Sequence, residues 1–442
     1  IPKASYLGFT GTPIIKGEAE YTKNIFGEYV SIYDFNAAIQ DGATLPLVYI
    51  NKGEELKLEN PIIDEAMAKV LDDETLDQDQ KKKLGGMFYK NYPILTSEKR
   101  LRAIAKDLVW HFNERGYQGK AMFIALDKPT AVKIYDYAME YWPLYLEELN
   151  KRIGDCTDEQ ESLELQRKYE RVKETEVCVV VSSEQNEVKK FKEDYKLNIE
   201  PHREKIVKRD LEKEFKDDDN PFRLVFVCAM WITGFDVPCV STVYLDKPIK
   251  GHTLMQTIAR ANRVYDDEKE NGLIVDYGNV YKQLEKAYSV YGEGDKGKQD
   301  SSAKQGNPIE RLEEMTVELE AAINVVQNFL EEVQFKLDSL IHAENAMIKL
   351  AKLTEAANAV CLNETTRTQF EIAARDVFRK YKALYPEEQV KPYTRLYNAI
   401  EAIYGQLNQK TQSADISDVM RRLQQEVNMS ISLVKNEVRE TD

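Results

Sequence analysis

Between residues 98 and 290 the chain alternates between two hydrophobic periods. Short runs that are apolar nearly throughout occur at 121–126 (AMFIAL), 177–182 (VCVVVS), 224–229 (LVFVCA), 241–245 (STVYL) and 272–276 (GLIVD). Continuous apolarity over so few residues predicts strands buried on both faces. Between most of them lie stretches of helical periodicity, at about 98–115, 130–149, 158–175, 202–216 and 253–263. Strands alternating with helices predict an α/β lobe, a parallel sheet with helices on both faces. Residues 1–15 read as one further strand and turn, belonging to whatever precedes this lobe.

From about residue 305 the pattern changes. Asn307-Pro308-Ile309-Glu310 offers an N-cap, a Pro at the first helical position and a Glu three residues after the cap. Apolar positions follow at Ile309, Leu312, Leu319, Ile323, Val326, Leu330, Val333, Leu337 and Ile341, which predicts an amphipathic helix starting at the Asn307 cap. Helical patterns continue through 366–385, up to Pro386, then 393–409 and 416–438. The tail is therefore expected to be all-helical. A Gly/Lys/Asp/Ser/Gln-rich stretch at 292–307 marks the linker before it. The expected organisation is 1–16 as the end of a preceding lobe, 17–97 as a connecting segment with an acidic linker at about 59–80, 98–291 as the α/β lobe, 292–307 as a linker and 308–442 as a helical domain.

Length and composition change this picture little. The chain has 442 residues, 43% hydrophobic and 31% charged, as in ordinary globular proteins of two or three domains. No apolar run approaches the ~20 residues of a membrane-spanning helix. The five cysteines form no CxxC pair and there are only four histidines, so neither a disulfide framework nor a Cys/His zinc site is indicated, and no metal-ligand set stands out. The chain starts at Ile1 with no signal peptide, and a cytoplasmic location is expected. Charge matters more. The net −15 would argue against a nucleic-acid partner, yet −7 of it falls in 59–79 alone, against only −1 across 80–300. Locally placed cations can contact phosphate without a basic average.

Two segments carry the candidate chemistry. Trp231-Ile-Thr-Gly-Phe-Asp-Val-Pro238 follows the strand at 224–229, and Gln256-Thr-Ile-Ala-Arg-Ala-Asn-Arg263 follows the strand at 241–245. On a continuous helix Gln256, Arg260 and Arg263 would project from one face. Such a face at the carboxyl edge of a parallel sheet, where these folds bind ligands, would suit a phosphate through bidentate guanidinium contacts. Either segment alone is ordinary: a solvated QxxxRxxR face, or a turn in which Gly234 supplies positive φ and Asp236 caps. Together, in order and each after a buried strand, they are hard to obtain by chance. Tyr6-Leu-Gly-Phe-Thr10-Gly11-Thr12-Pro13, a strand running into a turn, is weak by itself.

Taken together, these segments resemble superfamily 2 helicases: Thr10-Gly11-Thr12-Pro13 matches motif III, 231–238 motif V and 256–263 motif VI. With FTGTPI, the stretch 25–49 (IFGEYVSIYDFNAAIQDGATLPLVY), ITGFDVP and QTIARANRVY, the chain is similar to the motor (R) subunit of type I restriction enzymes. Ala259 departs from the Gly of many such helicases, but restriction motors commonly accept it. The resemblance implies a RecA-like second motor lobe followed by an all-helical domain, within an ATP-dependent translocase of double-stranded DNA that belongs to a restriction endonuclease.

By that resemblance Arg260 and Arg263 would act as arginine fingers on the γ-phosphate. Gln256 would position the second arginine or the attacking water. Asp236 would bind the ribose and Gly234 would allow close backbone approach. Thr233, Thr10 and Thr12, with Gly11 in their turn, would contact DNA or couple it to nucleotide state. No GxxxxGK[ST] loop or DEAD/DEAH-like box occurs in the chain, so ATP and Mg²⁺ would be held mainly by a lobe upstream of motif III. The chain is thus expected to be the C-terminal part of a longer subunit and inactive alone, its helical tail docking onto the methyltransferase (M) and specificity (S) subunits. Another superfamily 2 helicase, such as a repair enzyme, and a catalytically idle assembly scaffold are the alternatives. ExK triplets (Glu55–Lys57, Glu187–Lys189, Glu214–Lys216), Trp110, Trp142, Trp231, Lys81–Lys83 and the histidines are read as packing or solvated surface.

Overall fold

The computed structural model describes residues 35–58, 86–157, 159–232, 234–249, 251–266, 268–284 and 309–407. The chain divides into two compact units, Ile1–Leu312 and Glu313–Asp442.

All five strands expected from apolar runs form: β2 (Lys120–Ile124), β3 (Glu176–Val180), β4 (Phe222–Val227), β5 (Val240–Leu245) and β6 (Gly272–Asp276). Two more join them, β1 (Leu47–Asn51) and β7 (Ile309–Arg311). Together they make one sheet in the order β3-β4-β2-β5-β6-β1-β7, every pairing parallel. β1 comes from the stretch expected to be a connector. Its residues Leu47, Val48, Tyr49 and Ile50 are buried, as a strand between two neighbours requires. β7 overturns the expected helix start. Ile309 pairs with Leu47 and Arg311 with Tyr49, and the helix begins only at Leu312. Three residues fit either period, and the open edge of β1 decides between them by offering backbone partners.

Alternate side chains cover opposite faces of the sheet. Phe123, Phe226, Tyr244 and Tyr277 pack ring to ring on one face, and Tyr135 of helix Lys128–Asp155 meets Phe226 edge-on. Met122, Ile124, Val225, Val227, Val243 and Leu245 line the other, under helix Leu211–Lys216, the loop after β4 and helix Gly251–Ile258. Each such side chain removed from water contributes roughly 1.5–3 kcal/mol. This is the RecA-like lobe with helices on both faces.

Helices Glu98–Glu114, Lys128–Asp155 and Glu159–Glu174 form where periodicity placed them. The Asp127 side chain caps the second, accepting from Thr130 N at 2.8 Å with Pro129 in the first turn. The expected helix 202–216 is instead two, Glu200–Lys208 and Leu211–Lys216, because Asp210 breaks the run and caps the second by accepting from Lys213 N.

The second unit is all-helical in its described part: Leu312–Glu332 (whose first residue belongs to the first unit), Leu337–Ile341, Ala346–Val360, Glu364–Leu384 and 394–407. Leu319, Val326, Leu330, Phe370, Val377, Ile400 and Ile403 are buried. A capping box at Asn363 and Thr366 starts Glu364–Leu384, which ends before Pro386 as expected. The expected linker 292–307 and helix 416–438 lie outside the described residues.

Candidate functional site

The chain leaves β4 at the carboxyl edge of the sheet and returns to the amino edge without a helix, through residues 228–239. Ile232, Phe235 and Val237 anchor this crossover in the core. Trp231, at φ 67°, lies flat on Phe235 (4.3 Å between ring centres, 9° between planes) and reaches Phe215, so it is packing, as the sequence suggested. Gly234 has φ 69° with open space around it, so the turn needs the glycine's backbone freedom. β5 then crosses the sheet and helix Gly251–Ile258 brings the chain back, its eight residues rising about 12 Å.

Two expectations fail here, for one reason. The helix ends at Ile258, so Gln256, Arg260 and Arg263 do not share a helix face: Gln256 is helical, Arg260 sits in a turn, and Arg263 forms an isolated antiparallel bridge with Thr44. Because the helix has already run back across the sheet, that turn lies at the amino-terminal edge, not the carboxyl one. Leu45 N, just before β1, donates to Asn262 O at 2.7 Å. Gly272, the first residue of β6, lies so close that a Cβ there would meet the Ala261 carbonyl at 2.6 Å. A second side chain at this contact would push the arginine turn outward.

The two arginines are used differently. Arg260 donates from Nε and Nη2 to Ile232 O (3.1 and 2.9 Å) and from Nη1 to Phe235 O, stapling the crossover loop to the turn. Burial, and then the neighbouring Arg263 charge, lower its pKa, while Asp236 opposes the shift. Arg263 reaches Asp236 at 3.5 Å, with 45% and 61% of the two side chains exposed. The fold thus gathers Gly234, Asp236, Arg260 and Arg263 at one place, with Gln256 on the adjoining helix. Thr233, Thr10, Gly11 and Thr12 lie outside the described residues. The site offers an exposed guanidinium beside an exposed carboxylate, an arrangement that can rearrange onto an incoming anion.

Lys269 went unnoticed in the sequence. It is the lone cation of Asp-Asp-Glu-Lys-Glu (266–270), a run that reads as solvated surface, yet it is 2% exposed and bonded to three carbonyls around the site. Nothing in the local pattern marks it. The contribution of 44–45 did have a signal, since it falls in the family-like stretch 25–49.

The other singled-out residues have structural partners. Trp142 Nε1 donates to Val172 O, Trp110 Nε1 to Glu148, and buried His111 meets the Tyr244 hydroxyl at 2.8 Å. Of the ExK triplets, Glu187 pairs with Arg203 and Glu214 with Arg209. Lys81–Lys83 lie outside the described residues. Among the described residues no group of three or more His, Cys, Asp or Glu is placed to hold a metal ion, and no helix is long and apolar enough to cross a membrane.

Comparison with known proteins places this lobe. Residues 118–279 match the family model for type I restriction enzyme subunit R domain 3, and residues 1–82 that for the SWI2/SNF2 ATPase. The HindI endonuclease subunit of Haemophilus influenzae, a type I restriction enzyme, is 34% identical over 295 residues, 66% of this chain and 24% of the relative. The type I MjaIXP endonuclease subunit of Methanocaldococcus jannaschii is 29% identical over 372 residues, 84% of this chain and 31% of its own length. A solved fragment of an HsdR subunit from Vibrio vulnificus aligns over 64% of this chain and 40% of its own at 16% identity and a TM-score of 0.36. The chain therefore spans about a quarter to a third of the curated relatives it matches. It belongs to the family of type I restriction enzyme R subunits.

Proposed function

We propose that this chain supplies the second motor lobe of an ATP-dependent double-stranded DNA translocase, the R subunit of a cytoplasmic type I restriction endonuclease, and that its turn at 259–263 completes a split ATP site. The observation carrying this reading is the division of labour between Arg260 and Arg263. Arg260 spends its guanidinium on main-chain carbonyls, whereas Arg263 stands exposed on the turn those bonds hold still. Arg263 is the group that reaches the γ-phosphate. Its present partner Asp236, 61% exposed, is released to a ribose hydroxyl. Gln256 orients the arginine turn or the attacking water, and Gly234 lets the loop approach. ATP with Mg²⁺, when bound, would supply the phosphoryl group and its charge neutralisation; the described residues fit the arginine side of such a site, and among them no carboxylate cluster offers a metal side. Thr10, Thr12 and Thr233 take the coupling roles.

The test is DNA-stimulated ATP hydrolysis by an intact R subunit carrying this region. Arg263→Ala should lower kcat by ~10³-fold or more, the usual scale for an arginine acting on transferring phosphoryl groups. Arg260→Ala should lower both kcat and stability. Turnover that survives both substitutions would rule the reading out.

A second reading concerns the helical unit. Val317, Met347, Leu350, Leu362 and Ile372 are large apolar side chains left exposed there. Docking onto the methyltransferase and specificity subunits would cover them. Removal of 313–442, which spares β7, should then abolish co-purification with those subunits while ATP hydrolysis persists; retained assembly counts against docking.

A further inference from the structure

Lys269 is a buried ammonium with no carboxylate bonded to it. Its Nζ donates to Pro238 O (2.8 Å), Val240 O (2.8 Å) and Arg263 O (2.7 Å), so each of its three protons meets a main-chain carbonyl. The three acceptors belong to three different pieces of the site. Pro238 ends the loop that carries Gly234 and Asp236, Val240 opens β5, and Arg263 is the exposed arginine itself. Asp266 Oδ1 accepts from Glu268 N and Lys269 N, forming the turn that brings the lysine back beneath Arg263. A buried ammonium bonded only to carbonyls is an expensive way to fasten backbone when apolar packing would serve.

From this juxtaposition we infer that Lys269 is the positioning residue for Arg263, fixing the backbone from which that guanidinium reaches and tying it to the Asp236 loop. The inference rests on the split-site reading above and adds to it a residue that touches no nucleotide. A three-proton ammonium fits three converging carbonyls, which a planar guanidinium cannot match. The groups facing the ammonium are Cys239, Asp266 and Arg263. Burial, helped by the Arg263 charge and opposed by Cys239 and Asp266, lowers the Lys269 pKa to about 8. The Cys239 thiol is itself pushed up to about 11, which leaves it protonated where the lysine titrates.

The experiment is a double-substitution cycle in the intact R subunit assembled with its partners, reading ATP hydrolysis against ATP and DNA concentration. Lys269→Met should lower kcat ~10–100-fold, the cost of misplacing a transition-state group by about an ångström. KM for ATP and DNA affinity should stay within about twofold. In an Arg263→Ala background the same change should lower residual turnover no further. An unchanged kcat in Lys269→Met, or a loss that simply multiplies onto that of Arg263→Ala, overturns the inference. If Arg263→Ala has no effect, the split-site reading itself fails, a distinguishable result. Should Lys269→Met not fold, the pH profile decides: kcat of the unsubstituted protein should fall as pH rises through about 8, and the residual turnover of Arg263→Ala should lack that limb. A flat profile up to pH 10 overturns the inference equally.

Discussion

The two edges of the same parallel sheet lean on different partners for their buried cations. At the carboxyl edge most cations meet carboxylates, although Arg100 and Arg203 also donate to carbonyls and buried Lys247 donates to Cys228 O. Arg100 Nη2 bonds Asp246 at 2.5 Å, Lys52 pairs with Glu55 at 2.7 Å, Arg203 with Glu187 at 2.5 Å, and Asp276 accepts from the Tyr49 hydroxyl and from Gly278 N and Val280 N. At the amino edge the most deeply buried cations meet carbonyls, while the more exposed Arg263, Arg209 and Lys205 pair with Asp236 and Glu176. Lys269 holds Pro238, Val240 and Arg263, Lys120 donates to Glu214 O and Asp217 O, and Arg115 to Tyr117 O and Gly119 O. A carboxylate cancels the charge it binds; a carbonyl fixes the charge in place and leaves its field standing. Lys269, Lys120 and Arg115 at the amino edge are thus held in place by carbonyls, and Lys269 bonds the backbone that carries Arg263.

The largest test of this contrast is catalytic. A loss of ~10³-fold or more in Arg263→Ala corresponds to at least about 4 kcal/mol of transition-state stabilisation. No substitution of a paired cation at the carboxyl edge should approach it in ATP hydrolysis at equal folded fraction. The next test is stability. Arg100→Met leaves Asp246 buried without its partner and should cost about 3–5 kcal/mol in urea unfolding. Lys120→Met removes a charge that burial already disfavours and loses only carbonyl bonds, so about 1–2 kcal/mol is expected. Equal costs for the two would break the comparison.

A smaller effect follows from Asp276, whose pKa burial raises to about 6. The folded state then holds a proton that the unfolded chain has released between about pH 4 and 6, so this group's contribution to stability falls as pH rises through that window. The change is on the order of 3 kcal/mol. Asp276→Asn should flatten this part of the stability curve; half-buried Asp136, also raised to about 6 by burial, keeps a residual slope. An unaltered slope would show that the carboxyl-edge charge is less confined than its bonds suggest. The smallest test lies away from both edges. Asn363→Ala removes the cap of helix Glu364–Leu384 and should cost ~1 kcal/mol, read as faster amide exchange in its first turn.

Much of the lobe was legible in the chain because its strands are buried on both faces and so apolar throughout, a signal that survives any tertiary context. β1 has the same signal in Leu-Val-Tyr-Ile (47–50), but stands far in sequence from its neighbours β6 and β7. β7 was illegible for a different reason: Ile-Glu-Arg carries no period, and only an unpaired strand edge makes it a strand. Of the candidate site, residue identities were legible and geometry was not. QTIARANR reads as continuous helix because its polar spacing is helical, yet the chain must turn at 259–263 to pass between Gly272 and Leu45.

The sequence by itself determined that an α/β lobe precedes a helical unit, that the segments 231–238 and 256–263 belong together, and which family the chain resembles. These follow from periodicity and from residue types whose chemistry is local. Only the tertiary structure decided that the arginines stand at the amino edge, that Arg260 is a staple while Arg263 is exposed, and that Lys269 lies beneath them. Those are facts about which carbonyls converge on which cation. Carbonyls are the same at every residue, so no sequence pattern can mark the ones a buried charge will find.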